Sequence, residues 1–443
     1  MGEADVPSEV WVARDASVVW HGFTQMSSYT ENQPIIVERA EGRELIDVDG
    51  RRYLDAISSL WVTTLGHHVA ELDDAIREQL DRVAHTTLLG NGNRAAIELS
   101  EALAPRLPLD DPHLMYASDG AAAVEQGLKM AFQYWTNLAL AAGEDPRATG
   151  RTTYLALGGA YHGDTVGSLS LGDGGFGTDI FDPLRFPVLR APGYDDPAWS
   201  TAAVAMIDEH HERLAAVVIE PLVQGASGMQ IATPAAVRDV AEAAQRHGVL
   251  VMVDEVATGF GRTGTLFASE QCGIRPDLLI IGKGITGGYL PLSATAANRR
   301  VYEAFLGPDL SERTFYHGHS YSGNALACAV ALRHLQLIDE WDVLANVRGR
   351  ADELTARLDE RIAPLAAVRA VRQHGLMGGV ELAPPTDGLR WGRRVSAAAV
   401  RRGVLLRPLG DVVVLMPMLT STADEIELIV DVLAASIDEV VAR

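Results

Sequence analysis

The sequence predicts an α/β fold, with a large unit built on a mostly parallel sheet covered by helices and a smaller α+β unit built from both termini. Two observations lead to this prediction. Continuous apolar runs of strand length alternate with helical segments through the middle of the 443-residue chain, which is typical of parallel strands buried on both faces. Towards both ends, shorter apolar stretches alternate with polar residues around glycine turns, as in antiparallel strands.

The first part of the chain is predicted to form a meander and then alternating helices and strands. Residues 34–58, PIIVERAEGRELIDVDGRRYLDAIS, alternate around AEG and DG turns, which predicts short antiparallel strands. Residues 96–108 have helical spacing and end at a proline, where a helix is expected to stop. The stretch HLMYASDG, residues 113–120, predicts a strand that leads into a long helix over residues 121–143.

Four apolar runs then predict the central strands: TTYLAL (152–157), AAVVIEPL (215–222), GVLVMVDEVA (248–257) and DLLIIGKG (277–284). A helical pattern over residues 234–248 lies between two of them, and a long helix is predicted over residues 324–362. VRAVRQHGLMGGVEL (368–382) and VVVLMP (412–417) predict strands of the second unit.

These patterns divide the chain into three predicted segments. Residues 1–60 form the N-terminal segment and meander of the small unit, residues 61–335 the large unit, and residues 336–443 the C-terminal part of the small unit. The helix around Leu335 is the predicted boundary.

The composition narrows the classes of function. A net charge of −22 argues against nucleic-acid or anionic-membrane partners, since both would repel the protein. The two cysteines, Cys272 and Cys328, are too few for a disulfide framework and are expected to be reduced thiols of a cytoplasmic protein. The N-terminal residues lack the apolar segment of a signal peptide, and no apolar run approaches the ~20 residues of a membrane span.

Lys283 is the first candidate for chemistry. The chain has 37 basic residues, and all but Lys283 and Lys129 are arginines. Lys283 follows an apolar strand, where burial disfavours the charged form of an amine and makes it nucleophilic. Because arginine cannot replace the amine of lysine in a covalent link to a carbonyl, the sequence predicts that Lys283 is kept for its amine. Lys129, in the middle of a predicted helix, is expected on a solvated face.

Asp254 is the second candidate, because it follows the strand that precedes the strand of Lys283. The carboxyl ends of such strands face the crevice in which α/β proteins bind ligands. An acid and an amine at two strand ends suit a pyridoxal 5′-phosphate (PLP) site, in which the lysine bonds the aldehyde carbon and the acid keeps the ring nitrogen protonated. The turn at Gly120 before a long helix offers backbone amides to a phosphate, and Tyr161 in GGAYHGDT offers an aromatic cover.

Longer stretches resemble a known family. VVIEPLVQGASGM, VDEVATGFGRTG, GKGITGGYLPLSA and HGHSYSGNALACA are similar to the class III, fold-type I PLP-dependent aminotransferases, and the resemblance runs through most of the chain. WHGFTQM, SSLWVTTLGHHVAELDDAIREQL, AHTTLLG, LKMAFQYW and RPLGDVVVLMP resemble one branch, the 7,8-diaminopelargonic acid aminotransferases of biotin synthesis. The resemblance implies a ping-pong reaction, with 7-keto-8-aminopelargonic acid as acceptor, in a homodimer that shares its active sites.

The resemblance also implies roles for individual residues. Lys283 is the Schiff-base lysine and proton carrier, Asp254 pairs with the pyridinium nitrogen, and Tyr161 and Val256 lie on the two faces of the ring. Further cofactor-binding residues are implied at Gly120, Ala121, His162, Glu220 and, from the neighbouring subunit, Ser320. Arg407 binds the substrate carboxylate, and the other substrate-binding positions are Phe23, Leu60, Trp61, Asp164, Arg262 and His319.

The amino donor stays open between L-lysine and S-adenosylmethionine. Better-known members of the branch use S-adenosylmethionine and carry tyrosine, tryptophan and proline at the positions of Phe23, Leu60 and His319. These three residues resemble the members that use L-lysine. Ala121 replaces a serine of the better-known members, and Asp119 is unusual for the phosphate turn of either group.

The sequence leaves one alternative function open and disfavours two others. Another class III activity, such as an ω-amine:pyruvate or secondary-metabolism aminotransferase, would use the same scaffold. A cofactor-binding protein without turnover is disfavoured by the complete set of Lys283, Asp254 and Tyr161. A dehydrogenase is disfavoured because no G-x-G-x-x-G follows a first strand.

His317 and His319 lack a third ligand at motif spacing, so no metal site is expected.

Overall fold

The fold was analysed in a computed structural model that describes residues 6–32, 34–173 and 177–442. The strands, in chain order, are β1 Val37–Glu41, β2 Glu44–Asp47, β3 Arg52–Asp55, β4 His113–Ala117, β5 Thr153–Leu157, β6 Leu189–Ala191, β7 Leu214–Ile219, β8 Val223–Gln224, β9 Gln230–Ile231, β10 Leu250–Asp254, β11 Leu278–Ile281, β12 Ser293–Ala297, β13 Val368–His374, β14 Met377–Leu382, β15 Val404–Leu405, β16 Arg407–Leu409 and β17 Val412–Leu415.

The helices, in chain order, are α1 Ser8–Val18, α2 Ser58–Trp61, α3 Ala70–Leu80, α4 Arg94–Leu103, α5 Gly120–Ala142, α6 Val166–Leu171, α7 Trp199–His210, α8 Pro234–Arg246, α9 Ala268–Cys272, α10 Arg299–Ala304, α11 Ala325–Glu340, α12 Val343–Arg361, α13 Trp391–Arg401 and α14 Ala423–Val441. Short 3-10 turns connect several of them, and the turn Lys283–Thr286 directly follows β11.

The large sheet confirms the predicted α/β class. It has seven strands in the order β4-β12-β11-β10-β7-β5-β6. The pairings β11-β10-β7-β5-β6 are parallel, and β12 runs antiparallel to both of its neighbours. The strands β6 and β12 were absent from the sequence prediction, because a three-residue strand and the alanine-rich run SATAA carry little periodic signal.

Helices cover both faces of this sheet. On one face, Met252 and Ile280 pack with Val124 and Leu128 of α5. On the other face, alternate residues of the same strands join the cluster that contains α8 and α11. The strands are therefore apolar on both faces, as the continuous apolar runs predicted.

Both chain termini contribute to the smaller sheets. The predicted meander β1-β2-β3 is present, and β15 from the C-terminal part joins it in parallel with β3. The strands β13, β14, β17 and β16 form a second four-stranded antiparallel sheet. The helix α11 runs unbroken through the position of the predicted boundary at Leu335, and the three-segment division stays a prediction.

The prediction of one long helix over residues 324–362 is wrong. The structure divides it into α11 and α12, and Asp342 between them has a left-handed φ of 46°. Hydrophobic spacing continues across the break, so the pattern alone did not reveal it. No helix in the described part of the chain is long and apolar enough to cross a membrane.

Candidate active site

Lys283 and Asp254 lie at the same edge of the large sheet. β10 and β11 are parallel neighbours, with Asp254 opposite Ile280, so their carboxyl ends meet there. Asp254 is the last residue of β10, and Lys283 lies two residues beyond β11. Lys283 has a φ of 42°, a conformation that a non-glycine residue adopts only where its surroundings hold it.

The environment of Lys283 makes its amine less basic. Burial lowers the pKa of Lys283, and this effect outweighs the opposing charges of Asp254 and Glu220. Nζ lies 5.0 Å from the centroid of the Trp61 ring. A lower pKa increases the neutral fraction of the amine, which is the form that attacks carbonyl carbons.

Asp254 is buried, and each oxygen of its carboxylate has one hydrogen-bond partner. Its Oδ2 lies 2.7 Å from Nδ1 of His162, and its Oδ1 accepts a hydrogen bond of 2.9 Å from the Val256 N–H. Burial alone would lower the pKa of His162, but the hydrogen bond and charge of Asp254 raise it above its ordinary value. His162 was implied only by the family resemblance, and the structure joins it directly to Asp254.

A second buried acid, Glu220, lies beside this pair. Its Oε1 accepts a 3.1 Å hydrogen bond from the backbone N–H of Tyr161. Burial raises the pKa of Glu220 to about 7. The Tyr161 hydroxyl in turn donates to Asp164 over 2.9 Å, so the ring that is implied to cover a cofactor is held at its backbone and at its hydroxyl.

The predicted phosphate turn lies at the N-terminus of α5. Asp119 is the N-cap residue, and its side chain accepts hydrogen bonds from the Ala122 N–H (2.9 Å) and the Ser118 hydroxyl (2.8 Å). A Cβ on Gly120 would lie 2.9 Å from Cγ1 of Val256, so only glycine allows this close approach. The structure therefore explains the unusual acid as a helix cap.

A cavity of about 730 Å³ connects several of the predicted residues. Its lining contains these predicted site residues: Phe23, Leu60, Trp61, Tyr161, Lys283 and Arg407. Phe23 and Leu60 are exposed at its mouth, whereas Trp61 is buried. The cavity thus brings the Lys283 amine, the aromatic residues and a guanidinium group together.

Ten predicted residues do not line this cavity: Gly120, Ala121, His162, Asp164, Glu220, Asp254, Val256, Arg262, His319 and Ser320. The last three also lie apart from the hydrogen bonds described above. Arg262 is buried, and its terminal nitrogens donate to the carbonyls of Thr63 and Pro417; burial lowers its pKa to about 10. His319 and Ser320 lie in a segment between α10 and α11, where Ser320 is exposed and its carbonyl bonds to the His85 ring. Their site roles stay predictions.

The structure adds residues that the sequence did not single out. Arg390 and Arg393 also line the cavity, and the arginine-rich stretch GLRWGRRV was the available signal. Lys129 is exposed, as expected, but its Nζ lies 3.0 Å from Nδ1 of His317. Within the described residues, no group of three or more histidine, cysteine or acidic side chains is placed to hold a metal ion.

Comparisons with known proteins agree with this geometry. The aminotransferase class-III family model matches residues 26–437. The adenosylmethionine-8-amino-7-oxononanoate aminotransferase of Nitratidesulfovibrio vulgaris is 45% identical over 443 aligned positions, which cover 96% of this chain and 80% of that protein.

Two solved aminotransferase structures are also similar to this chain over nearly its whole length. The crystal structure of adenosylmethionine-8-amino-7-oxononanoate aminotransferase from Methanocaldococcus jannaschii has a TM-score of 0.92 and 36% identity, over 98% of this chain and 99% of that one. An amine transaminase from an uncultivated Pseudomonas species, solved in its PLP-bound form, has a TM-score of 0.86 and 32% identity, over 95% and 98% of the two chains.

Proposed function

The chain belongs to the class III aminotransferases, and from that premise we propose that it converts 7-keto-8-aminopelargonic acid to 7,8-diaminopelargonic acid in biotin synthesis. One observation carries the proposal: Lys283 and Arg407 line a single cavity. The amine is the group that the family uses to hold PLP, and the guanidinium suits the carboxylate of the acceptor. Relatives named for this reaction span nearly the whole chain.

The residues present fit PLP. His162 carries a buried Nε2 that has no hydrogen-bond partner among the described residues, so its ring is available to an adjoining group. Asp254 presents a carboxylate at the strand end, and the turn at Gly120 begins α5, whose first backbone amides suit a phosphate. Lys283 would hold the aldehyde carbon, Asp254 the ring nitrogen, and Gly120 and Ala121 the phosphate.

Bound PLP supplies an aldehyde that carries the amino group between two substrates and a ring that withdraws electrons from the reacting carbon. Asp254 would keep a proton on the ring nitrogen, because its carboxylate is the negative charge at that position. His162, hydrogen-bonded to Oδ2, orients this carboxylate. The neutral Nζ of Lys283 would take up the proton that leaves the reacting carbon of the donor and later release it to the carbon on the other side of the transferred nitrogen, and its lowered pKa suits both steps.

The remaining implied residues shape the pocket around this centre. Tyr161, held by Asp164 and by Glu220, would cover the ring and exclude water from one face. Trp61 closes the side next to Nζ. Phe23 and Leu60, exposed at the mouth, would contact the aliphatic chain of the acceptor, whose carboxylate Arg407 would bind.

We further propose that the enzyme is a cytoplasmic homodimer in which Ser320 and His319 reach the partner's site. Both lie in a segment whose neighbours Leu310, Tyr316 and Tyr321 are exposed apolar or aromatic side chains, and such surfaces are typical of subunit contacts. The two free, buried cysteines suit a reducing compartment.

The proposal is tested by supplying the PLP-loaded enzyme with 7-keto-8-aminopelargonic acid and either L-lysine or S-adenosylmethionine. We expect 7,8-diaminopelargonic acid to form with at least one donor, as measured by mass spectrometry, and L-lysine alone to shift the near-visible absorbance if it is the donor. Pyruvate is the competing acceptor. A higher kcat/KM for pyruvate than for the keto acid would contradict the proposal and favour an ω-amine aminotransferase.

A further inference from the structure

The mouth of the 730 Å³ cavity carries three arginines. Arg390 and Arg393 line it together with Arg407 and Lys283, and all three arginine residues are exposed. In the described part of the chain, none of the three has a carboxylate oxygen within 4.0 Å. The one recorded side-chain hydrogen bond of Arg393 runs 3.4 Å to Oδ1 of Asn32.

Neighbouring arginines of the same unit are paired with acids. Arg401 and Arg402, at the other end of α13, both contact Glu439, at 2.8 and 2.7 Å. Arg372 contacts Glu381 at 2.7 Å. In a chain of net charge −22, carboxylates are abundant, so three unpaired guanidinium groups around one cavity create a local positive field that attracts an anion.

The backbone supports a binding role for Arg390. Its φ is 52°, and three other residues of the same lining, Phe23, Trp61 and Lys283, also have left-handed φ values between 42° and 65°. This region is sterically disfavoured for a non-glycine residue, and such residues cluster at ligand sites. Strain is therefore found at the mouth of the cavity as well as at Lys283.

The turn that carries Arg390 is also held in place. The N–H of Gly392 donates to Oδ1 of Asp411 over 2.9 Å. Asp411 is the only acid among the described residues that line the cavity, and this hydrogen bond ties its carboxylate to the start of α13. Among the described residues, Asp411 forms no ion pair with any of the three arginines.

We propose that Arg390 and Arg393 form, with Arg407, a carboxylate subsite that selects the acceptor by the anionic end remote from its reacting carbon. This inference rests on the proposed function. Arginine forks bind carboxylates in a planar, bidentate manner, and three of them hold the anion over a range of positions at the mouth. L-lysine has one carboxylate but two ammonium groups, whereas the keto acid has one of each. The positive field therefore favours L-lysine less than the keto acid, and the subsite discriminates between the two substrates.

The experiment compares the PLP-loaded wild-type enzyme with Arg390→Gln, Arg393→Gln and the double variant. Arg394→Gln is the matched control, because Arg394 is an exposed arginine of the same helix that does not line the cavity. We expect the double variant to raise the KM for the keto acid about tenfold with kcat within about twofold. The KM for L-lysine should stay the same or fall, and Arg394→Gln should resemble the wild type.

A binding measurement separates this inference from the proposed function. Nonanoate carries the chain and the carboxylate without the reacting carbonyl, and methyl nonanoate is its uncharged counterpart. We expect the double variant to bind nonanoate about tenfold more weakly and the ester unchanged. Equal nonanoate affinity in the wild type and the double variant, or an equal loss in Arg394→Gln, would overturn the subsite. If nonanoate binding depends on both arginines but the keto acid is not aminated, the subsite stands and the proposed function fails.

Discussion

We call the buried group of Asp254, His162 and Glu220 next to Lys283 the floor of the site, and it is built differently from the arginine-lined mouth of the cavity. On the floor, Asp254, His162 and Glu220 are buried, and each is hydrogen-bonded to protein groups. At the mouth, Arg390 and Arg407 are exposed and have no internal counter-ion among the described residues. The floor residues follow strands of one sheet, with Asp254 and Glu220 directly at strand ends, whereas the mouth joins segments from both ends of the chain. On the proposed function, reactivity would depend on the sheet and selectivity on the segments around it.

The largest effect is expected on kcat, from a substitution of Lys283 next to the floor. Lys283→Arg keeps a positive charge of similar length but removes the nucleophilic amine, so we expect kcat to fall by on the order of 10⁴-fold or more. Lys129→Arg is the matched control, because it changes the only other lysine of the chain. Single-turnover measurements with a saturating donor provide the comparison. A Lys283→Arg enzyme with more than a tenth of the wild-type rate would remove Lys283 from the chemistry.

An effect of intermediate size is expected for Glu220, a buried acid of the floor, in the pH dependence of stability. The pKa of Glu220 is raised from 4.5 to about 7 by burial. Between these values the folded protein retains a proton that the unfolded chain has lost, so this group makes the wild type less stable as pH rises through that window. Glu220→Gln does not titrate and can still accept the Tyr161 N–H. We expect the variant to gain on the order of 1–3 kcal/mol over the wild type at pH 8 and little at pH 5.

The measurement is the melting temperature of the PLP-free wild type and variant at pH 5, 6, 7 and 8. The difference should grow with pH and level off above about pH 7, where the folded wild type has also lost the proton. If the difference in melting temperature between wild type and variant stays constant from pH 5 to pH 8, Glu220 is charged throughout this range in the folded protein. The floor would then be more polar than its burial indicates.

The same division explains how much the sequence could predict. Asp254 and Lys283 follow strongly apolar runs, and the alignment of parallel strand ends follows from their fold class, so both residues could be found by pattern alone. Arg390 lies in no periodic pattern, and its neighbours in the cavity include Phe23, far away along the chain. Contacts between distant loops leave no local signal, and the same is true of the left-handed break at Asp342.

The bond between His162 and Asp254 shows the limit of pattern analysis within the floor. The residues are far apart in sequence, and the family resemblance alone suggested that His162 belongs to the site. The structure adds that the imidazole and the carboxylate are 2.7 Å apart. Asp119 shows the converse: the sequence marked it as unusual, and only the hydrogen bond to the Ala122 N–H identified it as a cap.

Asp119 also gives the smallest expected effect, and it sharpens the comparison because it is an exposed acid beside the buried floor. Its carboxylate occupies the N-terminus of α5, where the phosphate of PLP would bind. Asp119→Asn keeps a side-chain cap but removes the negative charge, so we expect PLP to bind about three- to tenfold more tightly. Absorbance titration of the PLP-free protein measures this affinity, and Asp119→Ala, which removes both charge and cap, separates the two contributions. Weaker binding in Asp119→Asn would mean that the carboxylate orders the phosphate turn through Ser118 and Ala122. The exposed Asp119 would then belong to the hydrogen-bonded floor. The contrast between floor and mouth would apply only to the arginine-lined side of the cavity.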